Sequence, residues 1–135
     1  MVNPILYQIC HDNDIDLIGS NINCYDPVDN TIRYCIRLKG DNLTYTILHE
    51  VGHAIQFLSG KFNEHYRFTE SKEIPSKHKD LYIYYTISCE YDAWERGKLI
   101  ADKYKLSVDS TRYYKYAAKF TKQYISTFLT IKLEV

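Results

Sequence analysis

Apolar residues recur at three- and four-residue steps through residues 42–59, NLTYTILHEVGHAIQFLS, where Leu43, Ile47, Val51, Ala54, Ile55 and Leu58 form one stripe. That period predicts an amphipathic helix. Asp41 or Asn42 can cap its start and Gly60 can end it. Upstream, residues 31–38, TIRYCIRL, alternate Ile32, Tyr34, Ile36 and Leu38 against Thr31, Arg33, Cys35 and Arg37, which predicts a strand with one buried face. Residues 25–30, YDPVDN, carry turn chemistry, and residues 16–23 have the β-branched and apolar content of another strand. A short helix opens at Asn3-Pro4, with proline in its favoured first position, and reaches about Cys10.

Residues 60–79 turn polar without a helical period, which predicts a loop or a loose hairpin that shapes whatever cleft lies beneath it. His65 and His78, within that stretch, read as surface histidines. Residues 80–104 form a second long helix. Asp109 caps a third over residues 110–129, whose stripe Tyr113, Ala117, Phe120, Tyr124 and Phe128 faces the core. On the same helix Arg112, Lys115, Lys119 and Lys122 make a solvated basic face. Helices packed around a small antiparallel sheet or hairpin make the fold class α+β. No repeat or linker divides the chain, and its 135 residues suffice for one domain, residues 1–135, with a core of its own.

The first long helix carries the chemistry. His49-Glu50-Val51-Gly52-His53 spell HExxH. Residues four apart on a helix point the same way about one turn apart, so both imidazoles can grip one side of a zinc ion. A third ligand and a water complete such a site. Glu50 points to nearly the same side and can take the water's proton as general base. An ordinary core has little use for two histidines and a carboxylate side by side.

A third histidine six residues after His53 would make a metzincin, but that position is Ser59, and Gln56 stands where its glycine belongs. The alternative is a carboxylate from the next helix, where SCEYDAWER offers Glu90, Asp92 and Glu95. Glu90 shares its face with Ile83, Ile87, Ala93, Trp94, Gly97 and Ala101, an apolar stripe with small residues at its middle. Ala93 and Gly97 would let this helix approach the HExxH helix closely. Asp92 and Glu95 have more solvated neighbours and stay as alternatives. A buried carboxylate among apolar residues is costly unless a cation compensates it, which favours Glu90. Zinc-bound imidazoles usually donate their other N–H to an oxygen, and Asp92 is an option for that task.

Composition narrows the remaining classes. Basic and acidic residues balance at 17 each, so bulk charge speaks for neither nucleic acid nor an anionic membrane. Four widely spaced cysteines without a CxxC pair, together with a start that lacks a signal-peptide pattern, predict a cytoplasmic protein with reduced thiols. The fourteen tyrosines read as amphipathic residues at the edge of the core. One of them could help stabilise an oxyanion, but the sequence does not single it out.

The strand, TYTILHEVGHAIQ and a later Glu90-x-x-Ala93 resemble the small gluzincin-type metallopeptidases, the ImmA/IrrE-like group in particular, over residues 31–101. The resemblance implies a compact metallopeptidase fold, Zn2+ held by His49, His53 and Glu90, Glu50 as catalytic base, and a protein or peptide substrate. The chain departs from that group in AWERGKLIA after the ligand, where a phenylalanine-alanine pair is more usual, and it carries no DNA-binding module. The expected function is zinc-dependent peptide-bond hydrolysis. The alternative is a catalytically silent binding or regulatory protein that keeps the fold; an intact Glu50 weighs against it.

Overall fold

The computed structural model describes residues 1–61 and 79–133 as four helices and three strands. The expectations for residues 62–78, His65 and His78 among them, and for the Phe128 side chain lie outside the described residues.

Helix α1 (Pro4–Asp12) starts as proline at its first turn dictates, and the Asn3 side chain caps it by accepting the Ile5 N–H at 2.9 Å. It buries Leu6, Ile9 and Cys10. Strands β1 (Asp16–Ser20), β2 (Cys24–Asp26) and β3 (Thr31–Cys35) follow in spatial order β1-β3-β2. The expectation of an antiparallel sheet is corrected here: β2 pairs antiparallel with β3, but β1 pairs parallel. The cause is a double reversal. The chain turns back after Ser20 into β2, then turns again before Asn30, which adopts φ 51°, so β3 recovers the direction of β1. Asn23 holds the first reversal by accepting the Cys35 N–H at 2.7 Å.

Strand β3 is also shorter than its alternation predicts. Leu38 N–H bonds to Cys35 O at 3.1 Å, and that turn throws Ile36 outward to 67% exposure while Ile32 remains fully buried.

Helix α2 (Gly40–Leu58) is the centre of the molecule, with its apolar stripe against the sheet and α1 on one side and against the later helices on the other. It begins one residue before the capping candidates, so Asp41 falls in the first turn, where its carboxylate faces the positive end of the helix dipole. Gly60, at φ 77°, stops it by accepting the left-handed conformation that terminates helices. Helix α3 (Lys79–Lys103) is followed by Lys105 in the left-handed region, φ 57°, with Leu106 N–H returning to Ala101 O at 2.9 Å. Helix α4 (Ser110–Leu133) is capped by Asp109, whose carboxylate accepts the Arg112 N–H at 2.9 Å. Ile9, Ile32, Ile47, Leu48, Val51 and Tyr113 form the fully buried centre. All four cysteines are free thiols. Among the described residues no helix is long and apolar enough to cross a membrane.

Candidate metal centre

Helices α2 and α3 meet where neither has a side chain in the way. A Cβ placed on Gly52 would fall 1.9 Å from the Ala93 carbonyl oxygen, and one on Gly97 would fall 2.5 Å from the Leu48 carbonyl oxygen. Backbone therefore touches backbone at two points one turn apart. Gly97 was anticipated as such a contact; Gly52, inside the HExxH run, is the tighter of the two.

This contact carries Glu90, one turn before Ala93, onto the histidine face of α2. Glu90 Oε2 lies 2.9 Å from His49 Nε2 and Oε1 lies 3.4 Å from His53 Nε2, while the two Nε2 atoms are 3.1 Å apart. These three residues form a group that could hold a metal ion. Ligand bonds of about 2.0–2.2 Å at near-tetrahedral angles separate neighbouring donors by about 3.3–3.6 Å. The two imidazoles and the Glu90 carboxylate, which turns one oxygen to His49 and the other to His53, lie 2.9–3.4 Å apart, close to that spacing. The charges fit as well. Glu50 and Glu90 are both largely buried carboxylates, and a divalent cation would balance them where no lysine or arginine of the described residues does.

The remaining carboxylates of α3 turn elsewhere. Asp92 receives Arg96 Nε at 2.6 Å and Lys61 Nζ at 3.1 Å, and Glu95 accepts the Tyr114 hydroxyl at 3.3 Å.

The His53 ring is held from behind by a residue that sequence reasoning used only to exclude the metzincin pattern. Gln56, fully buried, lies one turn along α2, and its Oε1 is 2.9 Å from His53 Nδ1. An amide oxygen only accepts, so the proton of the neutral ring is on Nδ1 and the Nε2 lone pair faces the cluster. The Gln56 amide nitrogen in turn donates to Cys89 O at 2.7 Å and to Asp92 Oδ2 at 2.9 Å. Asp92 thus reaches His53 through Gln56 rather than by touching the ring. His49 is oriented differently, by stacking on Trp94 with ring centroids 4.1 Å apart and planes 24° from parallel. Its Nδ1 is buried without a hydrogen-bond partner among the described residues.

Burial shifts the titrating groups and their neighbours redirect the shifts. Burial raises Glu50 above the usual carboxylate range, against the pull of His49 and His53 and with the help of the Glu90 charge. Burial would raise Glu90 too, but hydrogen bonds with His49 and His53 and their charges hold it far below that range. For His53, burial opposes the charged ring, and contacts with Cys89 and Glu90 together with the charges of Glu90 and Glu50 outweigh it, so its pKa stands well above the ordinary value. The cluster is a place that wants positive charge, whether a proton or a metal ion supplies it.

Glu50 and Glu90 open onto a cleft of about 360 Å³. Tyr124 of α4 lines the same cleft as Glu90, and burial, with the Glu90 charge adding to it, raises its phenol above the ordinary value. Only the fold singles out this tyrosine from fourteen, because the α4 register that brings it here depends on how α4 docks against α3. Comparison with family models, with curated proteins and with solved structures finds no match, so the resemblance to small metallopeptidases rests on the residues of this chain alone.

Proposed function

We propose that the protein is a zinc-dependent peptide-bond hydrolase of the small gluzincin type, similar to the ImmA/IrrE-like group. The observation that carries this reading is the convergence of His49, His53 and Glu90, with buried Glu50 beside them at the floor of an open cleft. Two imidazoles and one carboxylate are a donor set that zinc takes in catalytic sites, where three protein ligands leave one position open. Bound there, zinc supplies Lewis-acid polarisation of a carbonyl and makes water acidic enough to act near neutral pH.

The chain's own groups do the rest. Glu50, with its raised pKa, takes the proton of the attacking water on its carboxylate and returns it to the departing amide nitrogen. Burial keeps that carboxylate from being solvated and so keeps it basic. Gln56 and Trp94 hold the two imidazoles in their working orientations. Tyr124 lies at the cleft wall, where its hydroxyl can donate to a carbonyl oxygen.

The test is metal content and hydrolysis measured together. The wild-type protein should carry one zinc per chain and cleave members of a mixed peptide library. Glu50→Gln should keep the zinc and lose turnover by about 100-fold or more. A protein that takes up no zinc, or a Glu50→Gln variant that cleaves as well as wild type, overturns the reading.

A further inference from the structure

Helix α4 has a second amphipathic face, turned away from the cleft. Arg112, Lys115, Lys119 and Lys122 follow at steps of three, four and three residues, so they share one side of the helix, and all four are exposed. No acid occurs anywhere in this helix. In a chain whose 17 basic and 17 acidic residues cancel, charge of one sign is concentrated here. Arg112 reaches Asp41 at 3.7 Å, and Lys61 and Lys98 elsewhere pair with Asp92 and Asp102. Lys115, Lys119 and Lys122 have no acidic partner among the described residues.

Beside that ridge runs a row of Tyr114, Ala118, Thr121 and Ile125, spaced by four, three and four residues. Three adjoining depressions lie between this row and α3. Tyr114 and Ala118 border the first and second, and Tyr91 and Thr121 border the second and third. They make one groove, walled on α3 by Tyr84 and Tyr91, which are 65% and 63% exposed. Exposed aromatic surface gathered in this way marks a recognition site.

We propose that the groove docks an acidic amphipathic helix of a partner protein. Its apolar stripe lies between Tyr91 and Tyr114, and its acidic flank lies on Lys115, Lys119 and Lys122. This reading is independent of the metal site. Charge complementarity fixes the sign of the partner, and the three- and four-residue steps of the row suit the ridges of a second helix. From Thr111 to Ile125 the groove wall is about 20 Å long at 1.5 Å per residue, room for about four helical turns. A second copy of the chain does not fit: its α4 brings only more cations, and Asp92 and Glu95 of α3 are already bonded to Arg96, Lys61 and Tyr114. A membrane surface takes a protruding apolar face rather than a groove. Nucleic acid is drawn to domains of strong net positive charge, and this chain is neutral overall.

The probe is a fluorescein-labelled helical peptide of about 18 residues, with leucine at every third or fourth position and glutamate along one flank. A second peptide carries lysine in place of glutamate, and a third keeps the first one's composition but scrambles its stripe. In anisotropy titrations at low salt, the protein should bind the glutamate peptide about 10-fold or more tighter than either of the others. Lys115→Glu and Lys119→Glu combined should turn that preference toward the lysine peptide. Ala118→Arg adds a cation but fills the groove, so it should weaken the glutamate peptide about 10-fold, whereas attraction by charge alone would strengthen it. The three substituted residues are exposed, and thermal melts verify that the variants stay folded. Zinc uptake should match wild type in every variant.

Equal binding of the three peptides, an unchanged preference in the double variant, or tighter binding by Ala118→Arg overturns the proposal. So does tighter binding to a thymidine oligonucleotide or to phosphatidylserine vesicles than to the glutamate peptide, or a dimer that Ala118→Arg dissolves.

Discussion

Replacing Gly52 with alanine adds one methyl group at the tightest point between α2 and α3. That methyl would stand 1.9 Å from the Ala93 carbonyl oxygen, 2.7 Å from its carbon and 2.9 Å from Ala93 Cα, all of them backbone atoms that no rotamer change can move. Restoring ordinary contact requires the helices to part by about 1.5 Å there. Glu90 is one turn from Ala93 and moves with it, so its 2.9 Å approach to His49 Nε2 opens beyond 4 Å, by about the same displacement. Metal–ligand distances tolerate only about 0.2 Å, so Glu90 leaves the donor set. The cost to folding is smaller. Overpacking costs about 1–3 kcal/mol, and alanine returns about 1 kcal/mol of helix propensity over glycine. Zinc affinity should therefore fall by about 100-fold or more, beyond what loss of an outer support gives, while the metal-free protein loses only about 2 kcal/mol or less.

Gly97→Ala supplies the graded control. Its methyl would stand 2.5 Å from Leu48 O and 2.9 Å from the Tyr113 hydroxyl, a milder conflict that should give an intermediate loss. Competition against a chromophoric zinc chelator measures affinity, and urea unfolding of the metal-free proteins measures stability. Zinc affinity for Gly52→Ala within a few-fold of wild type would refute the claim that helix contact sets the donor geometry.

Other outcomes follow from the same geometry. Gln56→Leu removes the acceptor for His53 Nδ1 and the anchor of Asp92, so zinc affinity should drop about 10- to 100-fold with the metal stoichiometry unchanged at saturation. Among the carboxylates of α3, Glu90→Ala should abolish stoichiometric zinc uptake and Glu95→Ala should leave it intact. Asp92→Ala should retain the ion with weakened affinity; metal analysis after dialysis separates the three. Burial pushes the Cys10 thiol from its ordinary 9.0 up to about 12. Because the folded value is the higher one, its contribution to stability is whole below pH 9 and is lost as pH rises from 9 towards 12. At about 1.4 kcal/mol per unit, three units amount to about 4 kcal/mol at most. Urea unfolding of the metal-free protein between pH 8 and 11 should show a shallower alkaline decline in Cys10→Ala than in wild type, and parallel slopes would contradict the assignment.

The helical content was legible because periodicity and caps agree. Leu43, Ile47, Val51 and Ala54 mark the buried face of α2, and Asp109 and Gly60 end helices where their chemistry says they should. The meeting of His49, His53 and Glu90 was legible for the same reason, since Glu90 shares a stripe with Ala93, Trp94 and Gly97 and that stripe packs inward. What sequence could not give was relation between distant elements. The parallel pairing of β1 with β3 depends on a second reversal hidden inside YDPVDN, part of which is strand rather than turn. Ile36 follows the alternation of β3 yet leaves the sheet, because a turn at Cys35–Leu38 overrides the period. Gln56 had no local signal, and Tyr124, expected on the core-facing stripe, is 39% exposed at the cleft instead. One matters through a hydrogen bond at its own helix face and the other through the docking of α4, and neither role is visible as spacing.

The proposed ligands come from two helices that lie far apart along the chain, His53 on one and Glu90 on the other. During synthesis, a ribosome that has released only α2 would offer an ion two imidazoles and the Glu50 beside them, without the third proposed ligand. The full set of proposed ligands assembles only after α3 has emerged and docked, so a bound ion would favour the finished protein over the nascent one. Free zinc at 1,000 times its dissociation constant would add about 4 kcal/mol to the folded state and almost nothing to its precursors. Cellular zinc supply would then decide how much of this protein survives its own production, as well as how much of it works.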